Sequence, residues 1–420
     1  MLSVMPIQNT QAAEPTGAAA PTPAERARAR AAWTLDPEVC FLNHGSFGAC
    51  PAPVLDSQQR WRARLESEPV RFMVRELEPA LEAARAALAG FVGADPDDVV
   101  FVPNATAGVN TVLRALDLAP GDELLLTDST YAACRNAADA VATATGARVV
   151  VAALPFPLHD ASPVEDALLA RVTPATRLAL VDHVTSPTGL VLPIARLAAA
   201  LQSRGVDVLV DGAHAPGMVE LDLRGLGAAY YTGNCHKWLC APKGAAFLHV
   251  RRDRQARVHP LVTSHGATSP RTDRSRFQLE FLWPGTHDPT PVLALPDALS
   301  FLGSLLPGGW PALRAANHGL ALWARDRLCA ALGCAPPAPD AMLGSLAALP
   351  LPSARGERPA PVPGLDALQQ RLWERHRIEV PVMHWPAWPA RLLRISAQIY
   401  NSPEQYEQLA AALPLELPRT

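Results

Sequence analysis

Between residues 99 and 250 short apolar runs alternate with longer amphipathic stretches, and this alternation limits the chain to a few architectures. Residues 99–102 read as a strand and 106–116 as a helix. Strand 123–127, helix 130–145 and strand 149–152 repeat the unit, helix 163–171, strand 178–182, helix 192–204 and strand 207–211 extend it, and 245–250 closes it. Strands separated by helix-length segments cannot pair as hairpins. They need crossover connections, which give an α/β fold with a mostly parallel central sheet and helices on both faces. Proline-rich stretches near 306–311 and 335–339 interrupt the pattern, and the short strands expected at 341–349 and 391–396 predict a smaller α+β C-terminal domain. With 420 residues, 49% of them hydrophobic, the chain can build one large core and a smaller second one. The expected division is a flexible tail over 1–35 carrying a short basic helix near 24–33, a large domain over 36–300 and a small domain over 301–420.

Several function classes are disfavoured by composition. A net charge of −3 leaves no electrostatic footprint for nucleic acid or an anionic membrane. No apolar run reaches the roughly 18 residues that span a bilayer, and residues 11–32 lack the apolar centre of a secretion signal, so a cytoplasmic location is expected. Seven cysteines at irregular spacing argue for reduced thiols. Cys235, His236, Cys240 and His214 are possible zinc ligands, but no CxxC pair exists and adjacent Cys235 and His236 point apart, so no metal is expected.

Of 37 basic residues only two are lysines, Lys237 and Lys243, and both lie in the segment from Gly233 to Gly244. Wherever a bare positive charge suffices, this chain uses guanidinium. A lysine retained against that bias points to the chemistry reserved for a primary amine: losing a proton, attacking a carbonyl and forming a Schiff base. Upstream, the run 207–211 ends in Asp211 and the loop Gly212-Ala-His214, and a second run, 228–232, leads to Asn234, His236 and Lys237. A carboxylate at the C-terminal end of a strand sits where open α/β sheets bind ligands, and in an apolar surround it needs a cation. A protonated ring nitrogen would serve. The Asn104-Ala-Thr106 turn follows a strand and opens a helix, a position suited either to ordinary capping or to holding a phosphate.

These residues resemble the pyridoxal-phosphate (PLP) enzymes of aminotransferase class V, fold type I, and within it the branch around isopenicillin-N epimerases. The resemblance rests on Phe41-Leu-Asn-His-Gly-Ser-Phe-Gly48, Asn104-Ala-Thr-Ala-Gly-Val-Asn110, His183-Val-Thr-Ser-Pro-Thr-Gly189, Asp211-Gly-Ala-His214, His236-Lys-Trp238, Gly285-Thr-His-Asp288 and Arg394-Ile-Ser-Ala-Gln-Ile-Tyr-Asn401, in that order. It implies PLP as cofactor and Lys237 as the Schiff-base lysine and general base. Asp211 would pair with the ring nitrogen, and His214 and Ser186 would contact the cofactor. Tyr131 would stack on the ring, and Ala105, Thr106, Asn234 and His236 would hold the phosphate. Thr286 would reach the phosphate of a neighbouring subunit, implying a homodimer with shared sites. Arg394 would grip the carboxylate of a small amino-acid substrate, with Asn43 and His44 folded over it.

Three outcomes follow proton removal at Cα: return on the opposite face, loss of a β-substituent, or protonation at the cofactor. The resemblance ranks epimerisation first, ahead of a carbon–sulfur lyase and a transaminase. Cysteine desulfurases of the class carry a nucleophilic cysteine on the loop before the late arginine. Here the loop is Pro381-Val-Met-His-Trp-Pro-Ala-Trp-Pro389, which has none, so persulfide chemistry is not expected. His384 and Trp385 there are consistent with a bulkier substrate side chain or with packing. A non-catalytic PLP-fold module is the reading from another class, and the joint presence of Thr106, Asp211, His214 and Lys237 argues against it.

Overall fold

The computed structural model describes residues 21–356 and 365–417. A seven-stranded sheet runs in the spatial order Val99–Val102, Ala246–Val250, Tyr230–Asn234, Asp207–Asp211, Thr176–Asp182, Glu123–Thr127, Arg148–Ala152. Only Ala246–Val250 runs antiparallel to its neighbours; the remaining ladders are parallel. Helices cover both faces, which is why the central strands are apolar throughout instead of alternating. Val208, Leu209 and Val210 are all fully buried, each contributing roughly 1.5–3 kcal/mol relative to exposure. The α/β expectation therefore holds, and element boundaries differ from it by a few residues, as at Ser162–Leu169 and Ile194–Gln202.

Because the strands are parallel, their C-terminal ends share one edge. That edge carries the turns after Val102, Thr127, Asp182, Asp211 and Asn234. Helix Ala105–Arg114 lies close against the sheet: a Cβ on Gly108 would come within 2.1 Å of the Thr232 hydroxyl oxygen, so glycine is required there.

A three-stranded antiparallel sheet, Val382–Met383, Arg391–Ser396 and Leu346–Leu351, packs with the long helix Gly309–Leu332 and with Pro403–Glu416. The two-residue strand Cys40–Phe41 pairs in parallel with Ile378–Glu379 and so carries the N-terminal segment over the C-terminal region.

Residues 1–20 of the expected flexible tail lie outside the described residues. The rest of it contains the short helix expected near 24–33. Pro23–Ala31 is a helix whose start is closed by a reciprocal Thr22–Glu25 capping box, and the chain after it is anchored by Trp33. Trp33 is 5% exposed, packs on Tyr400 with ring centroids 5.2 Å apart, and donates its indole N–H to the Ala49 carbonyl at 3.0 Å. Trp33→Ala is expected to lower unfolding free energy by about 3 kcal/mol in denaturant titration, the range for removing a buried large aromatic.

Candidate active site

Lys237 follows the strand Tyr230–Asn234, and its amine points at His214, with Nζ and Nε2 3.1 Å apart. Burial, with the nearby Arg394 guanidinium adding to it, brings the amine down from 10.5 to about 8, against an opposing pull from Asp211, Cys134 and Asp182. An amine so placed is partly neutral near physiological pH and able to attack a carbonyl. His214 is itself buried and held far below its usual range, first by burial and then by Lys237, so its neutral ring accepts the lysine N–H. Its Nδ1 has no partner among the described residues.

The Lys237 backbone is fixed from below. The His44 Nε2–H donates to the Lys237 carbonyl at 3.0 Å, and His44 Nδ1 accepts from the Tyr400 hydroxyl at 2.8 Å. A carbonyl can only accept, which sets this tautomer. His44 is fully buried with both nitrogens used, so the sequence assignment to substrate contact is corrected: it supports the lysine loop. Gly48 closes over the same backbone with φ +70°, and a Cβ there would lie 2.2 Å from the His236 carbonyl oxygen.

Asp211 ends its strand 4% exposed. Its carboxylate accepts from the Ala213 N–H at 2.9 Å and the Cys134 thiol at 3.2 Å, and no Lys, Arg or His forms an ion pair with it among the described residues. Burial raises its pKa. Asp182, which the sequence reading did not select, is its register partner on the adjacent strand. Its position immediately before the His183 motif was the only available signal.

Arg394, in the middle of a strand of the small sheet, is 3% exposed and brought down to about 10 by burial. Nη1 donates to the Ser186 carbonyl at 2.6 Å and its hydroxyl at 3.3 Å, Nη2 donates to the Ser46 hydroxyl at 3.1 Å, and Nε has no partner among the described residues. No carboxylate among the described residues forms an ion pair with it. Asn43 accepts from Ser46 at 2.6 Å and donates to Glu379 at 2.9 Å, so it reaches the arginine only through Ser46. Tyr131, half exposed, is close enough to Arg394 to favour its charge.

At the helix start Asn104 caps Ala107 N–H, and Asn234 Oδ1 accepts the Ala105 N–H at 2.8 Å. The Ala105 amide is thus held by Asn234, and the Thr106 hydroxyl is near enough to the Cys134 sulfur to favour its thiolate. His236 donates from Nδ1 to the Ala245 carbonyl at 3.1 Å and is brought down to about 4 by burial, leaving a neutral ring beside this turn. Thr286 stands elsewhere, exposed on a cavity of about 560 Å³ lined also by Pro103, Lys243 and Arg274, to which neither Lys237 nor Arg394 contributes. In the loop at 381–389, His384 pairs with Asp366 at 2.9 Å and Trp385 packs on Phe156, Ala348 and Leu392, while Pro386, Ala387 and Pro389 are exposed.

The class V aminotransferase family model matches residues 48–409. The chain belongs to that family. The isopenicillin N epimerases of Amycolatopsis lactamdurans and Streptomyces clavuligerus are similar to it, at 40% and 37% identity, each over 92% of this chain and over 97% and 96% of their own. A probable chloroplastic L-cysteine desulfhydrase of Arabidopsis thaliana is 32% identical over 90% of this chain and 83% of its own. Among solved structures, the cysteine desulfurase CsdA of Escherichia coli shares the fold with TM-score 0.75 at 23% identity, covering 93% of this chain and 98% of its own. So does a C-DES mutant with glycine covalently linked to the PLP cofactor, at TM-score 0.74 and 24% identity, covering 89% and 96%.

This class V chain is therefore a PLP-dependent enzyme. Its residues fit the cofactor on their own terms: a buried carboxylate without a cation meets a protonated ring nitrogen, a deprotonatable amine meets an aldehyde, and a helix start meets a phosphate. No helix among the described residues is long and apolar enough to cross a membrane. Since the lysine's proton-loss point lies below its ordinary value, capture of PLP by cofactor-free protein should accelerate with pH and level off above about 9. Stopped-flow absorbance checks this; a rate still climbing past about pH 10 would mark an ordinary exposed amine.

Proposed function

We propose that this enzyme inverts configuration at the α carbon of an amino-acid substrate of the isopenicillin N kind. The observation that carries the reaction class is that Asp211 and Arg394 are buried with no ion-pair partner among the described residues, and that both act electrostatically on the Lys237 amine. The preference for epimerisation rests on the 40% identity to the Amycolatopsis lactamdurans epimerase over nearly the whole chain.

When bound, PLP supplies a carbonyl for amine exchange and an electron-withdrawing ring that stabilises negative charge at the substrate α carbon. Arg394 holds the substrate carboxylate, its fork already oriented by Ser186 and Ser46, and its burial makes each hydrogen bond to an anion stronger. The Lys237 amine removes the α proton, with His214 keeping Nζ aligned through its neutral Nε2. Asp211, fixed by Ala213 and Cys134, keeps its charge at the ring nitrogen. Asn234 and the Asn104 cap secure the helix start that would hold the phosphate.

A second reading is a carbon–sulfur lyase, favoured by the L-cysteine desulfhydrase similarity at 32% identity. The proposal extends to a homodimer, supported by the position of Thr286 outside its own chain's Lys237 site, to a cytoplasmic location, and to a division into domains at 36–300 and 301–420.

Incubation with single enantiomers in D₂O separates the outcomes. Epimerisation predicts loss of the α-proton NMR signal together with appearance of the other enantiomer. Release of sulfide and a keto acid from L-cysteine without inversion would replace this reading with the lyase. Arg394→Ala is expected to raise KM at least about tenfold, since a charge-assisted hydrogen bond contributes about 1.5–3 kcal/mol; an unchanged KM would remove Arg394 from substrate binding.

A further inference from the structure

The cofactor site contains a second buried carboxylate that the reaction does not use. Asp182 and Asp211 end adjacent parallel strands and are register partners, so their side chains leave the sheet on the same face with strands about 4.8 Å apart. That face is the one covered by the helix Ala132–Thr145: Leu180 and Leu209, two residues earlier on each strand, share a cluster with Cys134. Both carboxyl groups are buried, at 3% and 4% exposure.

Their surroundings differ. Asp211 accepts from the Ala213 N–H and the Cys134 thiol, donors that favour a charged carboxylate. Asp182 is held mainly by burial, with the backbone N–H groups of Tyr131 and of its own residue near enough to favour its charge, while its Oδ2 has no partner among the described residues. The charged or titratable groups bearing on Asp182 are Asp211 from one strand, Cys134 from the helix and Lys237 from the loop after Asn234. Just past the end of the strand Glu123–Thr127, the Thr127 and Ser129 hydroxyls are bonded to each other at 3.0 Å. Two carboxylates at this spacing in an apolar surround cannot both ionise without a cation apiece. The bound cofactor brings one ring nitrogen.

We propose that Asp182 is a positioning residue that shares one proton with Asp211, so that the pair presents a single negative charge to the cofactor ring. Asp182 is the protonated member, and Oδ2, which has no other partner among the described residues, carries the proton. The inference rests on the PLP reading only for its consequence, since the shared proton belongs to the protein itself.

Infrared spectra of the full-length protein near neutral pH, with and without PLP, read the proton directly. Expected is the carbonyl stretch of an un-ionised carboxylic acid in wild type, lost in Asp182→Asn and lost also in Asp211→Asn, where Asp182 has no like charge left and ionises. A stretch that survives Asp211→Asn would mean an acid neutral through burial alone and would overturn the sharing. No such stretch in wild type would overturn it without recourse to any variant. In the PLP-loaded enzyme, Asp182→Asn should leave cofactor affinity within about threefold, because one charge remains; a loss beyond about tenfold would show that both carboxylates were ionised. Failure to bind PLP at all would sink the functional reading instead, while the stretch in cofactor-free protein still decides the pair.

Discussion

Burial of charge without a protein counter-ion is the constraint from which the rest of this site follows. Asp211 and Arg394 are each almost fully buried, and neither forms an ion pair with a side chain among the described residues. Removing an ion from water costs several kcal/mol after relaxation, and a protein built for stability alone would remove that cost by pairing the two or by replacing them with apolar groups. Here they are held apart, one at the end of a central strand and the other on the small sheet, with the Lys237 amine between them in charge and in chemistry. The arrangement makes sense when a zwitterionic substrate and a cationic ring complete it.

Holding these groups in place takes more of the chain than touches the reaction. His44, itself held by Tyr400, grips the Lys237 carbonyl, Gly48 closes against the same backbone, and Trp33 packs on Tyr400 from the chain just after the N-terminal helix. Ser46 and Asn43 extend from the same segment to Arg394. One stretch, residues 33–48, thus touches the lysine loop, the late arginine and the C-terminal region. Loosening it should be felt at both charges.

Much of this was legible in the sequence, for identifiable reasons. The parallel sheet was readable because buried parallel strands are continuously apolar and helix-length crossovers separate them, as at 207–211. Lys237 stood out because arginine fills nearly every other basic position, and surface pairs such as Arg177–Asp122 and Arg254–Asp207 show guanidinium doing the ordinary ionic work. What sequence could not give was the direction in which a side chain points. His44 lay in a motif near the site but faces inward to the Lys237 backbone, and Ala105 is held by Asn234 across 129 residues of chain. Asp182 escaped notice because a carboxylate at a strand end acquires meaning only from its neighbour in register, which is a tertiary fact. In the stretch to residue 35 the helix near 24–33 was legible, but the packing of Trp33 on Tyr400 was not, because it joins residues far apart in the chain.

The central claim is that Lys237 is the amine that holds PLP. Borohydride reduction of the PLP-loaded protein followed by peptide mass mapping tests it directly, since the chain offers only two lysines. The account predicts a phosphopyridoxyl mass addition on the peptide containing Lys237 and none at Lys243. Label at Lys243, or no label after reduction, would contradict it.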